Sequence, residues 1–189
     1  MIYILDGDDI QSSMKFTSKL FATKEPTSVS LRITSKEFER AFRNVMEQSI
    51  ASGYSYKYES KRGKAVILNI PYDQFVDIEY DVFDKIEPMF ALFDAMNYNS
   101  NGKCLYVFSI ASDACGLAND LLKHTIDEAR KHDFKCIVAD CTNVKSQMLF
   151  EKHGFVVRSE ITYDGFEQNI YSFKNIGGTK SIQKMELIL

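Results

Sequence analysis

The spacing of apolar residues changes character along the chain. Residues 2–5 form a short apolar stretch that predicts a first strand. Asp8 or Asp9 is then placed to cap a helix running to about Phe21. Lys24-Glu25-Pro26-Thr27 breaks that helix, because a proline pushes its preceding neighbour out of helical geometry. A second helix is expected from Thr34 or Ser35. Its face would carry Phe38, Ala41, Phe42, Val45, Met46 and Ser49, with Gly53 as its end. Tyr54, Tyr56 and Tyr58 alternate with small or polar residues, which is strand periodicity. Lys61-Arg62-Gly63-Lys64 reads as the turn of a hairpin whose return strand covers residues 65–70. Phe83, Ile86, Phe90, Phe93, Ala95 and Met96 suggest a third helix over about 81–97, and Asn99-Ser100-Asn101-Gly102 a loop.

From Lys103 the pattern becomes strand–helix–strand–helix–strand. Residues 104–110 are continuously apolar apart from Ser109, as expected of a strand covered on both faces. Leu117, Leu121, Leu122, Ile126 and Ala129 mark the inner face of a helix over about 116–132. Residues 134–139 give another buried strand, 143–153 a short helix closed by Gly154, and 155–163 and 185–189 further strands. With no repeat, low-complexity tract or linker, residues 1–189 read as one domain. The fold class is α/β with a mixed sheet.

The 189 residues are 45% hydrophobic, enough for one core, and 23 basic against 26 acidic side chains give a formal charge of −3. That balance lacks the electrostatic footprint of a nucleic-acid partner, and the four charges at the hairpin turn would give only weak phosphate affinity. No apolar run reaches 18 residues, so no membrane partner is expected, and residues 1–5 are too short for a signal peptide. Cys104, Cys115, Cys136 and Cys141 form no C-x-x-C pair and read as reduced thiols of a cytoplasmic protein. His124, His132 and His153 have no metal-ligand spacing, so no metal is expected.

The segment with candidate chemistry runs from Phe108 to Leu122. A buried strand enters a turn of small residues and a helix begins. The first turn of a helix leaves its N–H groups unpaired and partly positive. Gly116 and Ala118 would let an anion approach those amides, making a phosphate cradle. Strand–turn–helix with one glycine is common, and tight packing explains Gly116 and Ala118 equally well when they are taken alone.

Two motifs together narrow the reading. Asp113-Ala114-Cys115-Gly116-Leu117-Ala118, continued by Leu121-Leu122, resembles the Q/R-x-x-G-x-G/A signature of the GCN5-related N-acetyltransferases. Asn143-Val144-Lys145-Ser146-Gln147-Met148-Leu149-Phe150-Glu151-Lys152-His153-Gly154-Phe155 resembles the same family's second element. The resemblance covers residues 103–163 well and the rest loosely. It implies a mostly antiparallel sheet splayed at its central strands and flanked by helices, with acetyl-CoA as co-substrate and no metal. It assigns coenzyme contacts to Phe108, Ser109, Ile110, Cys115, Gly116, Leu117, Ala118, Asn119, Asn143 and Ser146. The chain departs from the family at Asp113, where Arg or Gln is usual and an acid beside a diphosphate should point to solvent or weaken binding. It departs again at Phe150, where a tyrosine often protonates the leaving thiolate.

Glu25-Pro26 resembles an early Glu-Pro motif of the invertebrate arylalkylamine and dopamine N-acetyltransferases, as does the 180–185 stretch their closing strand. That likeness implies Glu25 as general base acting through water, assisted by Thr142 and Ser146, with a small amine as acceptor. The plainer readings stand beside it: Glu25 as a solvated loop carboxylate, Thr142 or Asn143 as a helix cap, His153 as a residue at a helix end. Cys115 has no identifiable histidine partner. Tyr163 and Phe166 line either an acceptor pocket or the core. Two alternatives remain open: an acyl-CoA-binding protein without turnover, and an acetyltransferase acting on a protein amine.

Overall fold

The computed structural model describes residues 1–99, 102–168, 171–173 and 176–189, so Ser100 and Asn101 of the expected loop lie outside the described residues. Seven helices and nine strands appear among the described residues. In chain order they are β1 (Ile2–Ile4), α1 (Ile10–Lys24), α2 (Pro26–Ser30), α3 (Ser35–Ala51), β2 (Tyr56–Ser60), β3 (Gly63–Pro71), α4 (Tyr72–Phe75) and α5 (Glu87–Ala95). Then follow β4 (Cys104–Ser112), α6 (Leu117–Lys131), β5 (Cys136–Cys141), α7 (Val144–Lys152), β6 (Val156–Thr162), β7 (Glu167–Gln168), β8 (Tyr171–Ser172) and β9 (Ser181–Ile188). Seven strands form one sheet in the order β1-β2-β3-β4-β5-β9-β6, and β7 pairs with β8. Within the large sheet β4–β5 is parallel and every other pair antiparallel. This is the mixed, mostly antiparallel sheet that the resemblance implies.

Alternation along the central strands builds two cores. Val66, Leu68 and Ile70 of β3, Tyr106 of β4 and Val138 of β5 meet Met14 of α1 and Phe38, Phe42 and Met46 of α3. Ala65, Ile67, Leu105, Val107, Ile137 and Ala139 face the opposite way, onto Leu117, Leu121 and Ile126 of α6 and Phe150 of α7. Each period-2 strand thus feeds both layers, which is why these strands are apolar throughout. The apolar stripes assigned to α3 and α6 are all buried.

Several local expectations need correction. Asp9 stands at the N-cap of α1 as expected but makes no side-chain cap bond; the side-chain cap is that of Asp6, which accepts from the Asp8 N–H at 3.0 Å at the start of a 3-10 turn over Gly7–Asp9. The extended backbone of Asp6 is what frees its carboxylate to turn back onto the 3-10 turn. α1 runs on to Lys24, and Pro26 begins α2 at its first position, where the missing N–H costs nothing. α3 begins at Ser35 with Thr34 as its cap, in a capping box: Glu37 N donates to Thr34 Oγ1 at 3.3 Å, and Thr34 N to Glu37 Oε2 at 2.7 Å. The third helix shrinks to Glu87–Ala95, because Pro88 cannot sit inside a helix extending back to 81. The expectation of four reduced thiols also fails. Cys104 and Cys136 are opposite each other in the β4–β5 register, with Cα atoms 4.7 Å apart, and are joined by a disulfide; Cys115 and Cys141 are free.

Candidate active site

The β4–β5 pairing ends early. The two strands are in register from Cys104↔Cys136 to Val107↔Ala139 and no further. Beyond that, β4 continues to Ser112 along β3, and β5 continues to Cys141 along β9. The register of β3 against β4 passes from Leu68↔Ser109 to Asn69↔Val107, leaving Phe108 as the extra residue of a bulge. The sheet therefore splays at its central strands, and among the described residues the β5-facing edge of Phe108, Ser109 and Ile110 has no partner strand.

A cavity of about 470 Å³ opens into this splay. Its wall brings together residues far apart in sequence: Glu25; Phe108, Ser109 and Ile110; Thr142, Asn143 and Ser146; and Phe150. α1, α3 and α5 roof it with rings, among them Phe38 and Phe42, whose centroids are 4.6 Å apart, and Phe90, 5.2 Å from Phe42. Such a lining favours an apolar or aromatic occupant.

Glu25 is 6% exposed, so it is not a solvated loop carboxylate. Its carboxylate accepts from Thr27 N at 3.0 Å, Thr27 Oγ1 at 2.7 Å and Ser28 N at 2.6 Å, capping α2. Thr142 is 9% exposed, and its carbonyl accepts from the Tyr163 hydroxyl at 2.6 Å. Burial, with Glu25 nearby, pushes the Tyr163 phenol far above its ordinary range. The cap of α7 is Asn143, whose Oδ1 accepts from Ser146 N at 2.9 Å, while Ser146 Oγ donates back to the Asn143 carbonyl at 2.8 Å. Ser109 Oγ is buried without a hydrogen-bond partner among the described residues. Tyr163 and Phe166 belong to a small core with Phe173 and do not line the cavity. Burial pushes the Cys141 thiol far up, so its thiolate is disfavoured.

The turn into α6 lies at the open end of the splay, outside the cavity wall. Gly116 has φ +86, and an added Cβ would meet no atom within 4 Å. The earliest main-chain bond of this turn is Asp120 N to Gly116 O at 3.1 Å. Among the described residues no acceptor takes the N–H groups of Cys115, Gly116, Leu117, Ala118 or Asn119. Cys115 is exposed, whereas the Leu117 side chain is 1% exposed and belongs to the core. Asp113 is exposed, as expected, and its Oδ1 also accepts from Lys64 N at 2.7 Å, crowding Gly63 so closely that an added Cβ there would sit 2.4 Å from the oxygen. Asn119 Oδ1 lies 3.1 Å from both Lys152 Nζ and His153 Nε2, which brings a cationic side chain to the same turn. Burial, then Lys152 and Lys123, lower the His153 pKa.

Sequence reasoning missed one polar cluster on the cavity floor. Tyr106 donates to Asp140 Oδ2 at 2.7 Å, and Lys184 Nζ lies 3.4 Å from Asp140 Oδ1. The signal was available as a lone acid inside the apolar strand Cys136–Cys141. No group of three or more metal-ligating side chains occurs among the described residues, and none of the described helices is long and apolar enough to cross a membrane.

No family model matches the chain. Solved structures do resemble it. Arylalkylamine N-acetyltransferase 2 from Aedes aegypti superposes with TM-score 0.77 at 15% identity, covering 100% of this chain and 98% of that one. Drosophila melanogaster polyamine N-acetyltransferase gives 0.67 at 16% identity, covering 100% and 99%. The C-terminal condensation domain of Ebony, solved with beta-alanyl-dopamine, gives 0.81 at 13% identity, covering 100% and 98%. At such identities the likeness establishes the fold.

Proposed function

We propose that this chain, which has the GCN5-related N-acetyltransferase fold, moves an acetyl group from acetyl-CoA directly to a small primary amine, by preference an arylalkylamine. One observation carries the reading: a run of unclaimed N–H groups at residues 115–119 continues into an unpaired strand edge and then into a ring-lined cavity. A diphosphate, an amide-bearing arm and an aromatic amine call for those three surfaces in that order.

In this reading the amides of Cys115, Gly116, Leu117, Ala118 and Asn119 hold the coenzyme diphosphate, and Gly116 leaves them uncovered. The free edge of Phe108, Ser109 and Ile110 pairs with the pantetheine arm, with Asn143 and Ser146 on the facing side. Strand N–H groups at the bulge stabilise the developing oxyanion. Glu25 takes the amine proton through water, and Thr142 and Ser146 assist. Phe150 has no hydroxyl, so thiolate departure here does not use that family proton donor. Direct transfer needs no protein nucleophile.

A second reading, coenzyme binding without turnover, is favoured by Phe150 and by the three donors already on Glu25. Acetyl-CoA thermal shifts followed by thiol release over a panel of arylalkylamines and polyamines separate the two. Stabilisation with thiol release supports transfer, stabilisation alone supports the binder, and no stabilisation overturns both.

A further inference from the structure

Asp140 lines the cavity where β4 and β5 part. It is the first residue of β5 beyond the last β4–β5 pair, Val107↔Ala139, and it follows a strand residue that faces α6, so its side chain points to the α1/α3/α5 layer. On one side of it the cavity wall continues to Thr142, Asn143 and Ser146, and on the other to Tyr72, Tyr98 and Tyr106. The Asp140 side chain is 6% exposed, yet Oδ1 has no hydrogen-bond donor. The opposite oxygen is fixed by the Tyr106 hydroxyl at 2.7 Å, so Oδ1 cannot turn away to find one. Lys184, itself buried, is ion-paired with Oδ1 at 3.4 Å, a long contact that leaves room for a closer donor.

A buried carboxylate oxygen held by one ammonium at 3.4 Å and by no shorter donor is incompletely satisfied, and a closer hydrogen-bond donor would complete it. The charge balance of the wall says which ligand suits. Glu25, Asp94 and Asp140 face a single ammonium, Lys184, which leaves an excess of two formal negative charges in a ring-lined space. A cation that donates hydrogen bonds is the complementary occupant. Burial also raises the proton affinity of Asp140, with Lys184 and Tyr106 opposing it.

We propose that Asp140 Oδ1 binds the acceptor's amino group, accepting a hydrogen bond from its nitrogen and holding it at the mouth of the splay, while Tyr106 orients the carboxylate. The assignment rests on the amine-acceptor reading and gives that site its binding residue. Lys184 occupies in the free protein part of the electrostatic role that the acceptor's nitrogen takes in the complex.

Calorimetry with 2-phenylethylammonium on CoA-loaded protein tests this without turnover, alongside thiol release from acetyl-CoA. Asp140→Asn should weaken amine binding at least tenfold and leave coenzyme affinity within twofold. Lys184→Met should act in the opposite direction, tightening amine binding several-fold, because the carboxylate then lacks its internal counter-ion. A purely structural ion pair would make both variants bind worse. Where Asp140→Asn does not fold, the sign of the Lys184→Met effect decides. Unchanged amine affinity in folded Asp140→Asn, weaker binding in Lys184→Met, or no amine binding by the parent overturns the assignment. Amine binding that Asp140→Asn weakens, without thiol release by the parent, supports Asp140 and refutes acetyl transfer. Thiol release with unaltered amine binding in Asp140→Asn does the reverse.

Discussion

At the residue scale, Glu25 holds two duties that a single substitution would confuse. Its carboxylate closes the N-terminus of α2 through three hydrogen bonds, and it stands in the cavity wall. Glu25→Ala removes both the cap and the proposed base, so about 1 kcal/mol of stability should go together with turnover. Glu25→Gln keeps an amide oxygen for the α2 donors but not the base. It should retain most of the stability, lower kcat by about 10²-fold or more and leave the coenzyme Kd within twofold. Denaturant midpoints beside steady-state kinetics check this, and unchanged kcat in Glu25→Gln removes Glu25 from proton transfer. The sequence marked Glu25 through its Glu-Pro resemblance, but not its burial or its three donors. Its burial depends on α1 and α2 meeting at an angle that no local pattern encodes, so its surroundings were not legible. Gly116 was legible, because a positive φ at a strand-to-helix turn is a local demand that glycine meets.

Among the elements, the long ones announced themselves. α3 and α6 each bury a stripe recurring every three to four residues, and that period survives any tertiary context. Tyr72–Phe75 is too short to have a period, and of the two possible starts of α3, Thr34 or Ser35, the reciprocal bonds of Thr34 and Glu37 select Thr34 as the cap. That capping box has a testable consequence. Lys85, then the Thr34 N–H, hold the Glu37 carboxyl at about 2, down from 4.5. A depressed native value stabilises the fold above pH 4.5, and this contribution is lost as pH falls from 4.5 toward 2. Urea midpoints should therefore drop over that window in the parent and change less in Glu37→Gln. Thr34→Ala should cost about 1 kcal/mol at neutral pH. An identical acid dependence in Glu37→Gln and the parent would remove this pair from the pH response.

At the scale of the whole molecule, the separation of β4 from β5 creates the site, and nothing in either strand's apolar run foretells it. Composition cannot say where a ladder stops; the bulge at Phe108 and the turn of β5 toward β9 decide that. Two motifs resembling one family signalled it indirectly, because both flank the opening. If the opening binds the coenzyme, stability and local protection should change together. A ligand at 100 times its Kd adds about 2.7 kcal/mol to the native state. For a domain of 189 residues that corresponds to a rise in Tm of roughly 5–11 °C. Gly116→Val points a branched side chain into the open space over the amides and forces φ +86 on a β-branched residue, so the rise should vanish. Gly116→Ala carries most of the backbone strain but less bulk, and should keep part of the shift. Hydrogen exchange locates the effect: acetyl-CoA should slow amides at 108–110 and 115–119 and leave those of the β1–β2 edge unaltered. Uniform slowing across the sheet would mean global stabilisation from a site elsewhere, because only a ligand lying in the splay protects those two runs and spares the distant edge.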